Sequence, residues 1–123
     1  MDRSAPPIEV VGSPEQVRDR LRGEAAALDE SVHRRLREAC ESVVTDPMSL
    51  IDAGRDWWPM ALRWAMRGMV PARPDVVVQP KSVEEVSGVL RACNDARVPV
   101  TVSGGRSGVC GGAVPLHGGV VVD

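Results

Sequence analysis

Phenylalanine and tyrosine are absent from this 123-residue chain, and its only aromatic residues are Trp57, Trp58 and Trp64. Valine and leucine must therefore fill the core, which they can do tightly because β-branched side chains pack well on a pleated sheet. Cysteine is scarce and odd in number: Cys40, Cys93 and Cys110 stand far apart. They form neither a metal-like pair nor a disulfide framework. Long apolar runs are missing too, so nothing approaches the ~20 residues that cross a bilayer. Residues 1–7 hold no apolar stretch that could act as a secretion signal. A cytoplasmic location is expected. There is no excess of one charge either: 15 basic and 17 acidic side chains leave a formal charge of −2. That balance gives no basic footprint for nucleic acid. Basic clusters at Arg18, Arg20, Arg22 and at Arg34, Arg35, Arg37 are interleaved with acids, as on a solvated helix face.

What is present is a globular composition, 43% hydrophobic and 26% charged, in a length suited to one ordinary domain. Ser13-Pro14-Glu15-Gln16 reads as a helix start, with Ser13 as N-cap, Pro14 in the first helical position and Gln16 completing a capping box. Val17, Leu21, Leu28, Val32, Leu36, Cys40 and Val43 then recur at helical spacing, with Ala25 and Ala39 in the same stripe. Gly23 interrupts the stripe and divides it into two helices; Asp46-Pro47 ends it. No chemistry shows in this segment, and His33 reads as a surface residue. A second helical face follows in Trp58, Leu62 and Ala65, with Gly68 as its stop. Core packing is the simpler role for the tryptophans, and a pocket wall or interdomain contact is the other.

Pro71-Ala72-Arg73-Pro74 reads as a stiff linker between a helical segment, 1–69, and a segment of α/β character, 70–123. Val76-Val77-Val78-Gln79 is a strand. Ser82-Val83-Glu84-Glu85 is another capping box, opening a helix with Val83, Val86, Val89, Leu90 and Cys93 on one side. Asn94 to Arg97 closes that helix, and Val98-Pro99-Val100-Thr101-Val102 is the next strand. This β-α-β unit should hold its strands parallel with the helix across them. The last residues, Gly118-Gly119-Val120-Val121-Val122-Asp123, read as a buried strand just beginning. An apolar strand left at a sheet edge would have unmanaged hydrogen-bonding groups, so the chain is expected to be a truncated amino-terminal piece. The alternative is a short strand tucked inside the sheet.

Behind the second strand comes Ser103-Gly104-Gly105-Arg106-Ser107-Gly108-Val109-Cys110-Gly111-Gly112. So much glycine is costly in folding entropy and needs a reason. Glycine permits positive φ and lets successive N–H groups form an anion nest. It also lets a bulky diphosphate approach the main chain. Ser107 adds a hydroxyl donor, and Arg106 a fixed positive charge suited to phosphate oxygens. A Walker loop is excluded because no lysine follows Lys81. The Rossmann spacing is also wrong, and residues 113–119 cannot readily continue as a helix. Phosphate binding would therefore come from the loop's amides. A ligand-free flexible loop is the plainer alternative, less apt behind a β-α-β unit.

The blocks from Pro74 to Val86, from Val98 to Thr101, the glycine loop and the final Gly-Gly-Val-Val-Val-Asp resemble the FAD-binding domain of the vanillyl-alcohol oxidase / p-cresol methylhydroxylase superfamily. Within it they are most similar to the branch that holds glycolate oxidase, D-lactate dehydrogenases and alkylglycerone-phosphate synthase. The resemblance covers about residues 70 to 123 and implies an α+β (α/β) fold. A helical amino-terminal arm would precede the first β-α-β unit of a PCMH-type FAD-binding subdomain. It implies FAD as cofactor, its diphosphate wrapped by Gly104, Gly105, Ser107, Gly108, Gly111 and Gly112, with Ser103 and Arg106 in the same wall and residues 76–80 near the adenosine end. One branch tethers its flavin through a histidine at the Arg106 position; arginine cannot do so, which implies non-covalent FAD. His117 lies beyond the loop, and Cys110 reads as a packing residue more than a reactive one.

The implied parent is a flavin-dependent oxidoreductase acting on a hydroxy acid or similar alcohol, a small-molecule substrate. Its catalytic residues would lie outside this chain, which alone would be inactive. The alternatives are a redox-neutral FAD-containing transferase of the alkylglycerone-phosphate synthase type and a non-catalytic truncated domain.

Overall fold

The computed structural model of the protein describes residues 6, 8–24 and 28–123. Ala25, assigned above to the helical stripe, and most of the 1–7 segment lie outside these residues. The centre of the fold is a four-stranded sheet in the order β2-β4-β6-β5, formed by Val43–Val44 (β2), Val76–Val78 (β4), Val100–Val102 (β5) and Val120–Val122 (β6). All of β4 is buried, as its uninterrupted valines require: only a strand covered on both faces reads that way. Val76, Val78 and Val120 pack with Leu36, Val89 and Cys93 on one face, while Val77 and Val121 meet Ala53 on the other.

The strands β4 and β5 are parallel, as the β-α-β pattern requires, but they are not neighbours. β6 lies between them, paired in parallel with both, in the register Val76↔Val120 and Val100↔Val120. The final strand lies inside the sheet, so the argument from an unmanaged edge fails. Its neighbours satisfy it on both sides.

Helix α4 spans Val83–Ala96, and Ser82 accepts the Glu85 N–H at 3.2 Å as N-cap. The reciprocal half of the box is displaced by one residue, because the Glu85 carboxylate accepts from Lys81 N–H at 2.8 Å. Arg97 ends the helix in the left-handed region, φ 54°. Val89, Ala92 and Cys93 are buried against helix α1 (Glu30–Ala39), but Val83, Val86 and Leu90 of the expected stripe are exposed. The helix offers a wider apolar face than α1 and the sheet cover.

The long helical stripe from Ser13 is corrected. Gln16 does bond Ser13 reciprocally, N–H to carbonyl at 2.9 Å and side chain to N–H at 3.0 Å, but only one turn forms. The chain then extends: Arg18 N–H reaches Gly68 O at 3.1 Å and Arg20 N–H reaches Val70 O at 2.8 Å. Arg18–Asp19 (β1) and Met69–Val70 (β3) make a two-stranded parallel sheet. A single helical turn fixes many dihedrals for little bonding, so pairing with a waiting strand wins. Val17 is buried with Ile51 and Val70, whereas Leu21 is exposed. The real helix α1 is Glu30–Ala39, capped by Asp29, whose side chain accepts Val32 N–H at 3.0 Å. Asp46-Pro47 does not merely end a helix. Asp46 caps a new one, α2 (Pro47–Ala53), which covers the second face of the sheet. Helix α3 (Pro59–Ala65) follows, with Gly68 beyond it at φ +67°.

Gly119 shows why the last strand is preceded by glycine. Its φ is +72°, and a Cβ there would stand 2.2 Å from the Pro99 carbonyl oxygen. That oxygen already accepts Val120 N–H, and Asp75 clamps Gly119 by bonds to both its N–H and its carbonyl. Gly119→Ala is expected to cost about 3 kcal/mol from strain and displaced strand pairing, measured by urea denaturation.

Candidate functional site

Adjacent parallel strands need a crossover, usually a helix. From β5 to β6 the chain makes that return through residues 103–119 without one. Ser103 extends the ladder, donating its N–H to Val122 O at 2.8 Å. The shared register of β4, β6 and β5 sets the start of this loop beside Gln79 and Asp123, at the carboxyl ends of the strands. In open α/β sheets that is where ligands bind.

Two reasons for the glycines were open, and the loop uses both at different positions. Gly111 has φ +78°, whereas Gly104, Gly105, Gly108 and Gly112 are not in the left-handed region. At Gly104, Gly105 and Gly112 a Cβ would meet no atom within 4 Å. On their side of the loop there is room for a group as large as a side chain. The opposite side has a floor. A Cβ at Gly111 would lie 3.4 Å from the Trp58 ring, and one at Gly108 would lie 3.7 Å from Asp56 Oδ2. Gly108 O accepts Trp57 N–H at 3.0 Å. Arg106, itself left-handed at φ 52°, donates from Nη1 to Asp52 O at 2.6 Å. Its guanidinium therefore secures the loop to one of the carbonyls that every helix end leaves without an internal partner.

The expected site residues are brought together as one continuous loop. Ser103 is buried at its root with Oγ lacking a hydrogen-bond partner. Gly104, Gly105, Ser107, Gly108 and Gly112 are exposed, while Arg106 and Gly111 are half-buried. Of the segment expected near the adenosine end, Val76–Val78 are interior, leaving half-buried Gln79 and Pro80 at the loop's end of the sheet. His117 is exposed beyond the loop. Cys110 is exposed rather than packed, so the packing reading is corrected. The described residues contain no cluster of metal-ligating side chains.

Sequence left a pocket wall open for the tryptophans and gave Asp56 no role. Half-buried Trp58 is such a wall: it lies under Gly111 and meets Trp64 edge-to-face at 5.3 Å. Asp56 is 1% exposed; Oδ1 accepts Trp58 N–H at 2.9 Å and Oδ2 has no partner. Beside it Arg55, 2% exposed, donates to Ile8 O and to Asp52 Oδ1. Only the long-range contact with residues 106–111 reveals the place of this charged pair.

Comparison with known proteins agrees with this geometry. Residues 74–123 match the FAD binding domain family. The chain is 51% identical over 51 residues to a D-lactate dehydrogenase of Anaerostipes hadrus, covering 42% of this chain and 11% of that protein. It is 41% identical over 78 residues to a D-2-hydroxyglutarate dehydrogenase of Xanthomonas citri pv. viticola, covering 63% and 15% respectively. Among solved structures, an alkyldihydroxyacetonephosphate synthase superposes with a TM-score of 0.75 at 20% identity, over 94% of this chain and 22% of that one. The chain thus spans about a tenth to a fifth of the length of these proteins. The matches bear out the family resemblance and the α+β FAD-binding fold read from the sequence.

Burial pushes the Cys40 and Cys93 thiols up, away from the reactive thiolate. In the folded protein at neutral pH a charged disulfide reagent should therefore titrate Cys110 first. Cys40 and Cys93 should react only after denaturation, as thiol counting with and without guanidinium would show.

Proposed function

We propose that the loop 103–112 holds the diphosphate of FAD without a covalent bond, in a flavin-dependent oxidoreductase acting on a hydroxy acid or similar alcohol. The observation that carries this reading is the open space where a Cβ would stand at Gly104, Gly105 and Gly112, directly behind a parallel strand. A Cβ-free surface at the carboxyl ends of strands suits a bulky anionic group, and the partnerless Ser103 Oγ at its root supplies a donor. The residues present therefore fit the cofactor that the family match implies. Bound FAD would supply the two-electron acceptor, since the cofactor carries the chemistry and the protein supplies placement. Ser103, Ser107 and the loop amides would bind it, while Arg106, through Asp52, would keep the loop in shape. Arginine at this position offers no nucleophile for a flavin link, in keeping with a dissociable cofactor.

The hydroxy-acid reading draws on the names of the two dehydrogenases above. The transferase alternative has only a likeness of fold behind it. We place the division of the chain at residue 70, with 1–69 packed on the start of the FAD-binding unit, and the protein in the cytoplasm. No helix among the described residues is long and apolar enough to cross a membrane.

The structure sharpens the mutational test. Since a Cβ at Gly104 or Gly105 would meet no atom within 4 Å, Gly104→Val and Gly105→Val should leave the fold intact and abolish FAD retention in the whole protein. The visible spectrum of the purified protein before and after acid precipitation reads this out. The unsubstituted protein should release its flavin into the acid supernatant. Flavin pelleted with the protein would refute the non-covalent reading, and unchanged flavin in both variants would refute the loop.

A further inference from the structure

Asp56 is the least expected buried group in the molecule. It lies in the turn between α2 and α3, 1% exposed, with its chain neighbour Arg55 bound elsewhere, to Ile8 O and Asp52. Its two oxygens are treated unequally. Oδ1 accepts the Trp58 N–H and so fixes the carboxylate plane. Oδ2 is buried and receives no hydrogen bond. An acceptor left so is costly, because its lost hydration is not replaced. A buried acceptor left so calls for an explanation, and a ligand that completes it is one.

The direction of Oδ2 is given by Gly108: a Cβ on that residue would sit 3.7 Å from it, an ordinary contact distance. The partnerless oxygen therefore lies against the cradle loop, alongside the Trp57–Gly108 hydrogen bond that fixes their relative position. Trp57 Nε1, also buried and without a partner, belongs to the same turn.

Resting on the FAD reading above, we propose that Asp56 is a cofactor-binding residue whose Oδ2 accepts a hydrogen bond from a neutral hydroxyl of the nucleotide, in its ribose or its ribityl chain. Phosphate oxygens are ruled out as its partner, because they carry the same charge and no proton to give. The diphosphate lies against the amides, and the sugar-like hydroxyl lies against the floor.

The test compares Asp56→Asn with the unsubstituted whole protein by two measurements. The first is the FAD dissociation constant from quenching of flavin fluorescence, and the second is the melting temperature of the apoprotein. Asparagine keeps the bond to Trp58 N–H and replaces the acceptor at Oδ2 by an amide. FAD binding should weaken about tenfold while apoprotein melting stays the same or rises, since a buried carboxylate is replaced by a neutral amide of the same shape. Unchanged affinity overturns the role of Asp56 and leaves the loop reading standing. A weakening matched by a lower melting temperature overturns it too, by showing a structural role. Failure of the unsubstituted protein to bind FAD overturns both. Should Asp56→Asn not fold, Asp56→Ser retains an oxygen for Trp58 and answers the same question.

Discussion

The pairing of β6 with both β4 and β5 is the interaction on which the rest of the structure depends. Its valines are shared between the two cores, Val120 facing α1 and α4 and Val121 facing α2. Because β6 is parallel to β5, the chain must return the length of the sheet between them. Because that return is not helical, its backbone amides are not consumed by a helix and lie at the carboxyl ends of the strands. The glycine loop is a by-product of the strand order.

A loop so rich in glycine would be conformationally expensive unless it were held. The hold comes from residues 52–58, which sit in the amino-terminal part of the chain. Arg106 reaches the end of α2, Gly108 accepts from Trp57, and Gly111 rests on Trp58. The amino-terminal segment is thus no detached arm. It supplies β2 to the sheet, α2 to the second face and the floor to the loop. The left-handed backbone at Arg106 is a place where local preference yields to this anchoring.

Much of this was legible in the sequence because it rests on local chemistry. The valine triplets, the Ser82 cap and the spacing of Val89 and Cys93 specify strand, helix start and buried face from neighbouring residues alone. The glycine loop announced itself in the same way. What was not legible depends on distant partners. Val17 and Leu21 fit a helical stripe, yet their segment pairs with β3, which no local pattern reveals. Val83, Val86 and Leu90 have helical spacing, but whether a face is covered is decided by its neighbours. Of the loop's glycines, only Gly111 needs its conformation, and composition could not separate that from the need for room. Asp56 was invisible because burial of a charge leaves no mark in the sequence around it.

The strand order also fixes a sequence of events. β4, α4 and β5 are made before β6, yet β4 and β5 have no ladder with each other. Until β6 arrives, both have a strand edge with no hydrogen-bonding partner, although β4 can already pair with β2. The parallel sheet therefore closes in one late, non-local step, of the kind that slows folding and leaves strands exposed meanwhile. Synthesis of this domain carries a period of vulnerability whose length is set by the time taken to make the glycine loop.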